Sequence, residues 1–322
     1  MAAIALDIGG TKIASAIFLP NGEMLYYRKR LLQGRTGSEV GRLAADILAE
    51  LLSKARRKHI TIECIGVCIP GIAYSKTRRV WAPNIPGWED YPLYDDLRGV
   101  TPEEIDIFID SDRTCYIYGE MWLGAAINCH SAIFIAVGTG IGAGIIVDGR
   151  MLHGASDIIG ATGWMALQLP YDKEYDACGC FEYYASGNGI GARARDAVRA
   201  DKAYQGCLRK KPIRRITAHD VFAAYNEGDP IATSVLKKAV QMWGMAAANL
   251  VSILNPEKII WGGGVFGPAI NLIDDIYQEA CKWAQPISIK QVEFVPSGLS
   301  GHSGLTGAAY LAIKNKTYEL KF

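Results

Sequence analysis

The spacing of apolar positions changes several times along the chain, and each change marks an element. "AAIALDI" (2–8) and "KIASAIF" (12–18) are apolar runs split by "GGT", which predicts two strands of a hairpin. "SEVGRLAADILAELLSKARRK" (38–58) has apolar residues at helical spacing and a basic last turn, the pattern of a helix with its C-terminus near 58. "IECIGVCIPG" (62–71) reads as a buried strand stopped by Pro70-Gly71. The Pro-, Gly- and Trp-rich stretch 78–97 predicts an ordered loop leading into a short helix. A further strand follows, "IDIFIDS" (105–111), and then a helix from "DRTCYIYGEMWLGAA" (112–126), with Ser111 or Asp112 as its N-cap.

The middle of the chain repeats the opening plan. "SAIFIAVGTGIGAGIIVDGRML" (131–152) is again strand, glycine turn and strand, with a threonine in the turn. A helical run, "ATSVLKKAVQMWGMAAANLVSILN" (232–255), precedes a third glycine cluster, "IIWGGGVFG" (259–267). Strands alternating with helices predict an α/β protein, and two hairpins of like plan predict a duplicated architecture of two α/β lobes facing a cleft.

Composition narrows the class. The 322 residues carry 34 basic and 33 acidic side chains, and a net charge of +1 gives no reason to expect nucleic acid or an acidic membrane as partner. The eight cysteines form no disulfide framework, which fits a reducing cytoplasm. The start lacks a signal peptide, and the longest apolar run is broken by glycines and falls short of the ~20 residues of a membrane span. The expectation is a soluble cytoplasmic protein.

The glycine turns suggest phosphate chemistry. Glycines let backbone N–H groups approach a phosphate chain; Thr11 adds a hydroxyl donor and Lys12 a positive charge beside Gly9 and Gly10. Asp7, just before the turn, would repel phosphate but can hold Mg²⁺ directly or through its waters. A tight hairpin needing Gly-Gly only for its geometry is the competing reading. The second turn, with Gly138, Thr139 and Gly140, is ambiguous in the same way, and neither matches a P-loop.

Together with Gly262, Gly263 and Gly264, these turns resemble the sugar kinase–actin ATPase fold and, within it, the ROK family (repressors, open reading frames, kinases). The resemblance spans nearly the whole chain: "DIGGTK" is similar to the first phosphate loop, "APNIPGW" to a sugar-side loop, "DSDRTCYIYGE" to an Asn-Asp-Ala-Asn segment, "VGTGIGAGIIVDGRMLHGA" to the second phosphate loop, "GCFEYYASG" to the end of the signature and "NPEKIIWGGGV" to the adenosine-side turn. It implies a two-lobed actin-like ATPase (ribonuclease H-like) fold with a central cleft. The implied division is a small domain, 1–120 completed by 306–322, and a large domain, 121–305.

What the resemblance implies for function is ATP- and Mg²⁺-dependent phosphorylation of a free sugar by a homodimer. Asp112 takes the position of the general base, the alternative being a plain helix cap; Asp110 is expected to do no more than solvate the end of its strand. Gly71, Asn84, Ser111 and Glu182 fall at sugar-side positions, Ser111 where the family carries Asn. The first strand begins too early to leave room for the helix-turn-helix module of the family's repressors.

Two family positions are changed. The family's Gly-Glu-x-Gly-His becomes "GATGW", with Ala161 and Trp164 in place of the glutamate and the histidine. Trp164 could stack on a sugar face or fill volume, packing being the favoured of the two. Of the cysteines that bind the family's structural zinc, only Cys180 is in register, with Lys173 and Tyr175 at two ligand positions and Cys178 out of step, so no zinc site is expected. The histidines, His153 among them, are expected to be solvated or bonded locally, and Tyr116, Tyr118 and Trp122 to pack in the core. A hexose or hexose derivative is the expected substrate, with an amino sugar, glycoside or cyclitol as alternative. Glucose and N-acetylmannosamine should be poor. A non-catalytic sugar-binding protein is the reading from another class.

Overall fold

The computed structural model of the chain describes residues 2–299 and 301–319. The first stretch runs β1 (Ala2–Ile8), β2 (Lys12–Phe18), β3 (Met24–Leu31), α1 (Gly37–Arg57), β4 (Ile62–Ile69), β5 (Ile72–Ala73), β6 (Val80–Trp81), α2 (Leu93–Arg98), β7 (Asp106–Ser111) and α3 (Asp112–Leu123). There follow β8 (Ala132–Val137), β9 (Ile141–Val147), β10 (Arg150–Met151), α4 (Cys180–Ala185), α5 (Gly187–Ala200), α6 (Ala218–Asn226) and α7 (Pro230–Leu254). The chain closes with β11 (Lys258–Gly262), α8 (Ile273–Ala280), β12 (Glu293–Pro296) and α9 (Ser303–Glu319).

Two compact units form. One contains the chain up to Asn128, Leu152–Ile159 and the chain from Gly298; the other contains Cys129–Met151 and Gly160–Ser297. The junctions expected at 120/121 and 305/306 fall inside α3 and α9. Residues 320–322 of the expected C-terminal segment lie outside the described residues.

In the first unit the sheet order is β3-β2-β1-β4-β7. The β1–β2 and β2–β3 pairs are antiparallel, whereas β1–β4 and β4–β7 are parallel. α1 and α2 close one face. α1 begins with a Thr36–Glu39 capping box, ends on Lys54, Arg56 and Arg57, and buries Val40, Ala44, Ile47, Leu48 and Leu51. With strand residues such as Ile4, Leu6, Ile17 and Val67 these make the main core. The other face holds small side chains, Ala3 and Cys64, under Ala312 of α9. Close approach is what they permit. A Cβ at Gly66 would lie 1.7 Å from the Ala308 carbonyl oxygen, and one at Gly307 would lie 1.6 Å from that of Cys115.

The second unit repeats the plan. Its sheet order is β10-β9-β8-β11-β12, again antiparallel for β10–β9 and β9–β8 and parallel for β8–β11 and β11–β12. The duplication expected from the two glycine hairpins is thus present strand for strand. α7 starts on Asp229, whose carboxylate accepts from Ile231 N (3.0 Å) and Ala232 N (3.1 Å), with Pro230 at the first helical position. Its apolar length buries Trp243, Met242 and Ala247. Among the described residues no helix is long and apolar enough to cross a membrane.

Candidate active site

Strand register gathers the candidates of the first unit. Asp7 of β1 pairs with Cys68 of β4, and Cys68 with Asp110 of β7, so one row crosses the carboxyl ends of three parallel strands. In open α/β sheets, ligands bind beyond those ends. The turn after Asp7 is closed by Gly9 N donating to Lys12 O at 2.9 Å, and Gly10, Thr11 and Lys12 stand exposed on it. Asn84 is also exposed, and its carbonyl oxygen would lie 2.7 Å from a Cβ at Gly10, so the 84 loop rests on the turn. Gly71 lies against the carbonyl of Trp81, 1.9 Å from where a Cβ would stand.

Ser111 is the N-cap of α3: its hydroxyl accepts from Thr114 N at 3.3 Å and shares a 3.2 Å hydrogen bond with the Thr114 hydroxyl. Ser111 is 6% exposed, so this hydroxyl is committed to the helix. Asp112 is thereby relieved of capping. Its Oδ1 accepts from Arg113 N at 2.8 Å, and the Tyr116 hydroxyl donates to Oδ2 at 3.5 Å. Burial pushes the Asp112 carboxyl up to about 6; Arg113 and its N–H pull it down, and the charge of Asp7 adds to the rise. Asp7 is also raised, because burial outweighs a hydrogen bond from Cys68 and the charge of Lys12.

Three expectations are corrected here. Asp110 does more than solvate the end of β7: its Oδ1 accepts from Ser111 N (2.7 Å), and its Oδ2 bonds His153 Nε2 (2.9 Å). His153 is therefore bonded to a distant part of the chain rather than locally, and that bond, its largest influence, raises its pKa. Tyr118 is buried and Trp122 stacks on Tyr310, as expected for core aromatics, but the Tyr116 phenol belongs to the Asp112 cluster.

The second unit carries the other candidates. Gly138 N donates to Gly140 O (2.9 Å), and Gly187 N donates to Gly138 O (2.8 Å), which ties the turn to the start of α5. Gly138, Thr139 and Gly264 line one cavity with Gly187, Asn188, Thr217 and His219. Among the described residues no carboxylate lines it, the N-terminal ends of α5 and α6 reach it, and Cβ positions at Gly138 and Gly264 meet open space. Those features fit a phosphate-bearing ligand. Gly262 does not reach the cavity: it is buried in β11, where a Cβ would lie 2.2 Å from the Phe134 ring. Gly263 turns the chain at φ 88° against the Val137 carbonyl.

Glu182, in the first turn of α4, accepts from Ile141 N at 2.7 Å through Oε2, and burial raises its pKa. Gly140 and Gly163 leave room for this carboxylate, since Cβ atoms there would lie 2.6 and 2.9 Å from Oε2. Trp164 is 57% exposed, which corrects the favoured packing role: an indole left in solvent fills no core volume. Cys178 and Cys180 are in no disulfide.

A magnesium ion fits Asp7. The carboxylate is partly buried and raised, so its ionised form gains from a cation. Mg²⁺ is commonly held by one or two carboxylates, with waters and phosphate oxygens filling its octahedron. Among the described residues no group of three or more His, Cys, Asp or Glu could hold a metal ion, so most of that octahedron would come from water and phosphate.

Sequence reasoning missed Cys68, which pairs with Asp7 in the strand register, and Gly304, whose Cβ would lie 2.8 Å from Asp7 Oδ2. A thiol in an apolar strand reads as filler, and only the register shows where it points.

Comparison with known proteins agrees with this geometry. The model of the ROK family matches residues 3–315. The chain is 32% identical over 313 residues to a glucokinase of Halalkalibacterium halodurans, covering 96% of this chain and 94% of that one. It is 27% identical over 313 residues to an N-acetyl-D-glucosamine kinase of Escherichia coli O6:H1, covering 95% and 97%. Among solved structures, a ROK family glucokinase from Streptomyces griseus in complex with glucose and AMPPNP superposes with a TM-score of 0.75 at 25% identity, over 98% of this chain and 100% of that one. The fold is accordingly that of the actin-like ATPases, and the chain belongs to the ROK family.

Proposed function

We propose that the chain is an ATP- and Mg²⁺-dependent kinase of a free sugar. The observation that carries the reading is Asp112: it is freed from capping by Ser111, held at about 6 by burial, and paired electrostatically with a second raised carboxylate, Asp7. A base near 6 is mostly ionised at neutral pH yet still takes a proton well as the hydroxyl is attacked. Names of relatives support the class, since a glucokinase and an N-acetyl-D-glucosamine kinase align over nearly all of the chain.

Each residue group has a defined task in this reading. Bound Mg·ATP supplies the phosphoryl group and neutralises its charge. In the second unit the backbone at Gly138, Thr139 and Gly264 holds phosphate; in the first, the turn that Gly9 closes presents the backbone of Gly10, the Thr11 hydroxyl and the Lys12 ammonium to phosphate. Asp7 anchors the ion. Glu182 accepts hydrogen bonds from sugar hydroxyls, Gly71 and Asn84 border the sugar, and Asp112 removes the proton from the reacting hydroxyl.

Ala161 and Trp164 point to the substrate. They take two polar contacts from one side of the ring and offer an exposed indole that can stack on a sugar face. A deoxy or amino sugar, a substituted glycoside or a cyclitol suits that pocket better than glucose. The same changes favour one other reading, a sugar-binding protein without catalysis. Nucleotide consumption against a panel of such sugars separates the two: ADP release with any member supports the kinase, and binding without ADP release overturns it.

A further inference from the structure

We infer that a cavity at the edge of the first sheet is a second ligand site, which takes a hydroxylated ring carrying one anionic group, a phosphate or a carboxylate. Among the described residues, none that is assigned above to sugar, nucleotide or metal lines it. The inference goes beyond the proposed kinase activity and does not depend on it.

The cavity holds about 350 Å³, the size of a small-molecule site, and all of its wall belongs to the first unit. It runs along β7, the last strand of the sheet, and is bounded by the turn between β5 and β6, by Tyr94 of α2 and by Asn315 of α9. That turn is fixed by the protein itself. Arg78 N donates to Tyr74 O (2.8 Å) and Tyr74 N to Arg79 O (2.9 Å). Ser75 donates to Asp157 Oδ2 from its N (2.9 Å) and from its hydroxyl (3.0 Å), which ties the turn to the 152–159 segment. A wall already in place lowers the cost of ordering a ligand.

The polar groups left over in the wall select the ligand. Three carboxylates line it, and each is engaged: Asp106 with Lys316, Asp110 with His153, and Asp157 with Ser75. Arg79 Nε lies 2.8 Å from Asp90 Oδ2. Arg78 stands apart. Among the described residues no carboxylate pairs with it, and its guanidinium lies over the Tyr94 ring, 4.7 Å from the centroid. A guanidinium so placed keeps its N–H fork, which a carboxylate or phosphate accepts two bonds at a time. Arg78 and Asp157 both hold left-handed backbone, at φ 57° and 59°, a strain that collects at ligand-holding loops. Two acceptors remain open among the described residues, Asp157 Oδ1 and Asn315 Oδ1, the Asn315 amide donating to Leu311 O at 3.0 Å. Acceptors call for ligand hydroxyls, and the rings of Tyr74, Tyr94 and Phe108 offer faces to a sugar ring. A triphosphate would bring more charge than one guanidinium offsets.

The test is calorimetric binding of glucose 6-phosphate, glucuronate and glucose to the full chain, repeated with Arg78→Gln and with Asp112→Asn. At least one of the two anionic sugars is expected to bind, with glucose weaker by about tenfold or more, the worth of a charge-assisted hydrogen bond. Which of the two binds names the anionic group. Arg78→Gln should weaken that binding by about tenfold or more, and Asp112→Asn should leave it in place whether or not Asp112 is the base. Thermal unfolding checks the variants, and Asn315→Leu takes the place of Arg78→Gln, with the same expectation, if that does not fold. Glucose bound as tightly, no binding of either anionic sugar, or a Kd that Arg78→Gln leaves unmoved or Asp112→Asn shifts as much would overturn the inference.

Discussion

Ser111, not Asp112, caps helix α3: its hydroxyl accepts from Thr114 N at 3.3 Å, while the adjacent Asp112 carboxylate accepts from Arg113 N at 2.8 Å and from the Tyr116 hydroxyl at 3.5 Å. A cap and a base are thus set side by side on consecutive residues. Removing the Ser111 hydroxyl should cost roughly 1 kcal/mol of stability, the usual worth of an N-cap. Ser111→Ala is expected to lower the melting temperature by a few degrees and to reduce turnover through the displaced start of α3. Asp112→Ala should not show a cap-type loss of stability.

The pH dependence follows from the raised Asp112 carboxyl. The base works ionised, so kcat/KM should be level above pH 7 and fall about tenfold per unit below pH 6. A rate that stays level down to pH 5 would assign the proton to another group.

Stability should move the opposite way. A carboxyl raised from 3.8 to about 6 on folding favours the folded state when protonated. That contribution is complete below the unfolded value and is lost as pH rises through about 6. Asp112→Asn, which cannot ionise, should therefore melt higher than the parent at pH 7.5 and close to it at pH 4. Calorimetry at the two pH values reads the difference, and equal melting at pH 7.5 would show that the burial is not costly.

Gly140 and Gly264 should separate the two ligands. Gly140 makes room for Glu182, so Gly140→Ala is expected to raise the sugar KM by about tenfold through the displaced carboxylate. Gly264 lines the cavity with Thr139, so Gly264→Val should weaken nucleotide binding instead. Equal effects of both variants on both ligands would indicate general loss of structure.

Purified protein should contain no stoichiometric zinc. Of the four ligands that a tetrahedral site needs, the alignment of "GCFE" keeps Cys180 alone, with Lys173 and Tyr175 at two of the other ligand positions. Elemental analysis showing about one zinc per chain would contradict that alignment.

What the sequence made legible was whatever a strong pattern records. The ends of β1 and β2 fall where the apolar runs "AAIALDI" and "KIASAIF" end, because both strands are buried and alternate with a glycine turn. β3 escaped notice because it is a partly exposed edge strand, "MLYYRKRL", whose charges suit an edge but hide the alternation. α9 was hidden for another reason: its glycines and alanines serve close approach to β4 and α3 and weaken the apolar stripe. At the site, Asp7, Asp112 and the glycine turns stood out by chemistry. Cys68 and the His153–Asp110 pair did not, since their meaning lies in register and in contacts between residues distant along the chain.

The most direct measurement of the central claim is the turnover of Asp112→Asn, made beside calorimetric binding of sugar and nucleotide. The substitution keeps the size of the side chain and removes the proton acceptor. If Asp112 is the base, turnover falls by ~10²-fold or more while both ligands still bind. Normal binding with an unchanged rate would contradict the mechanism.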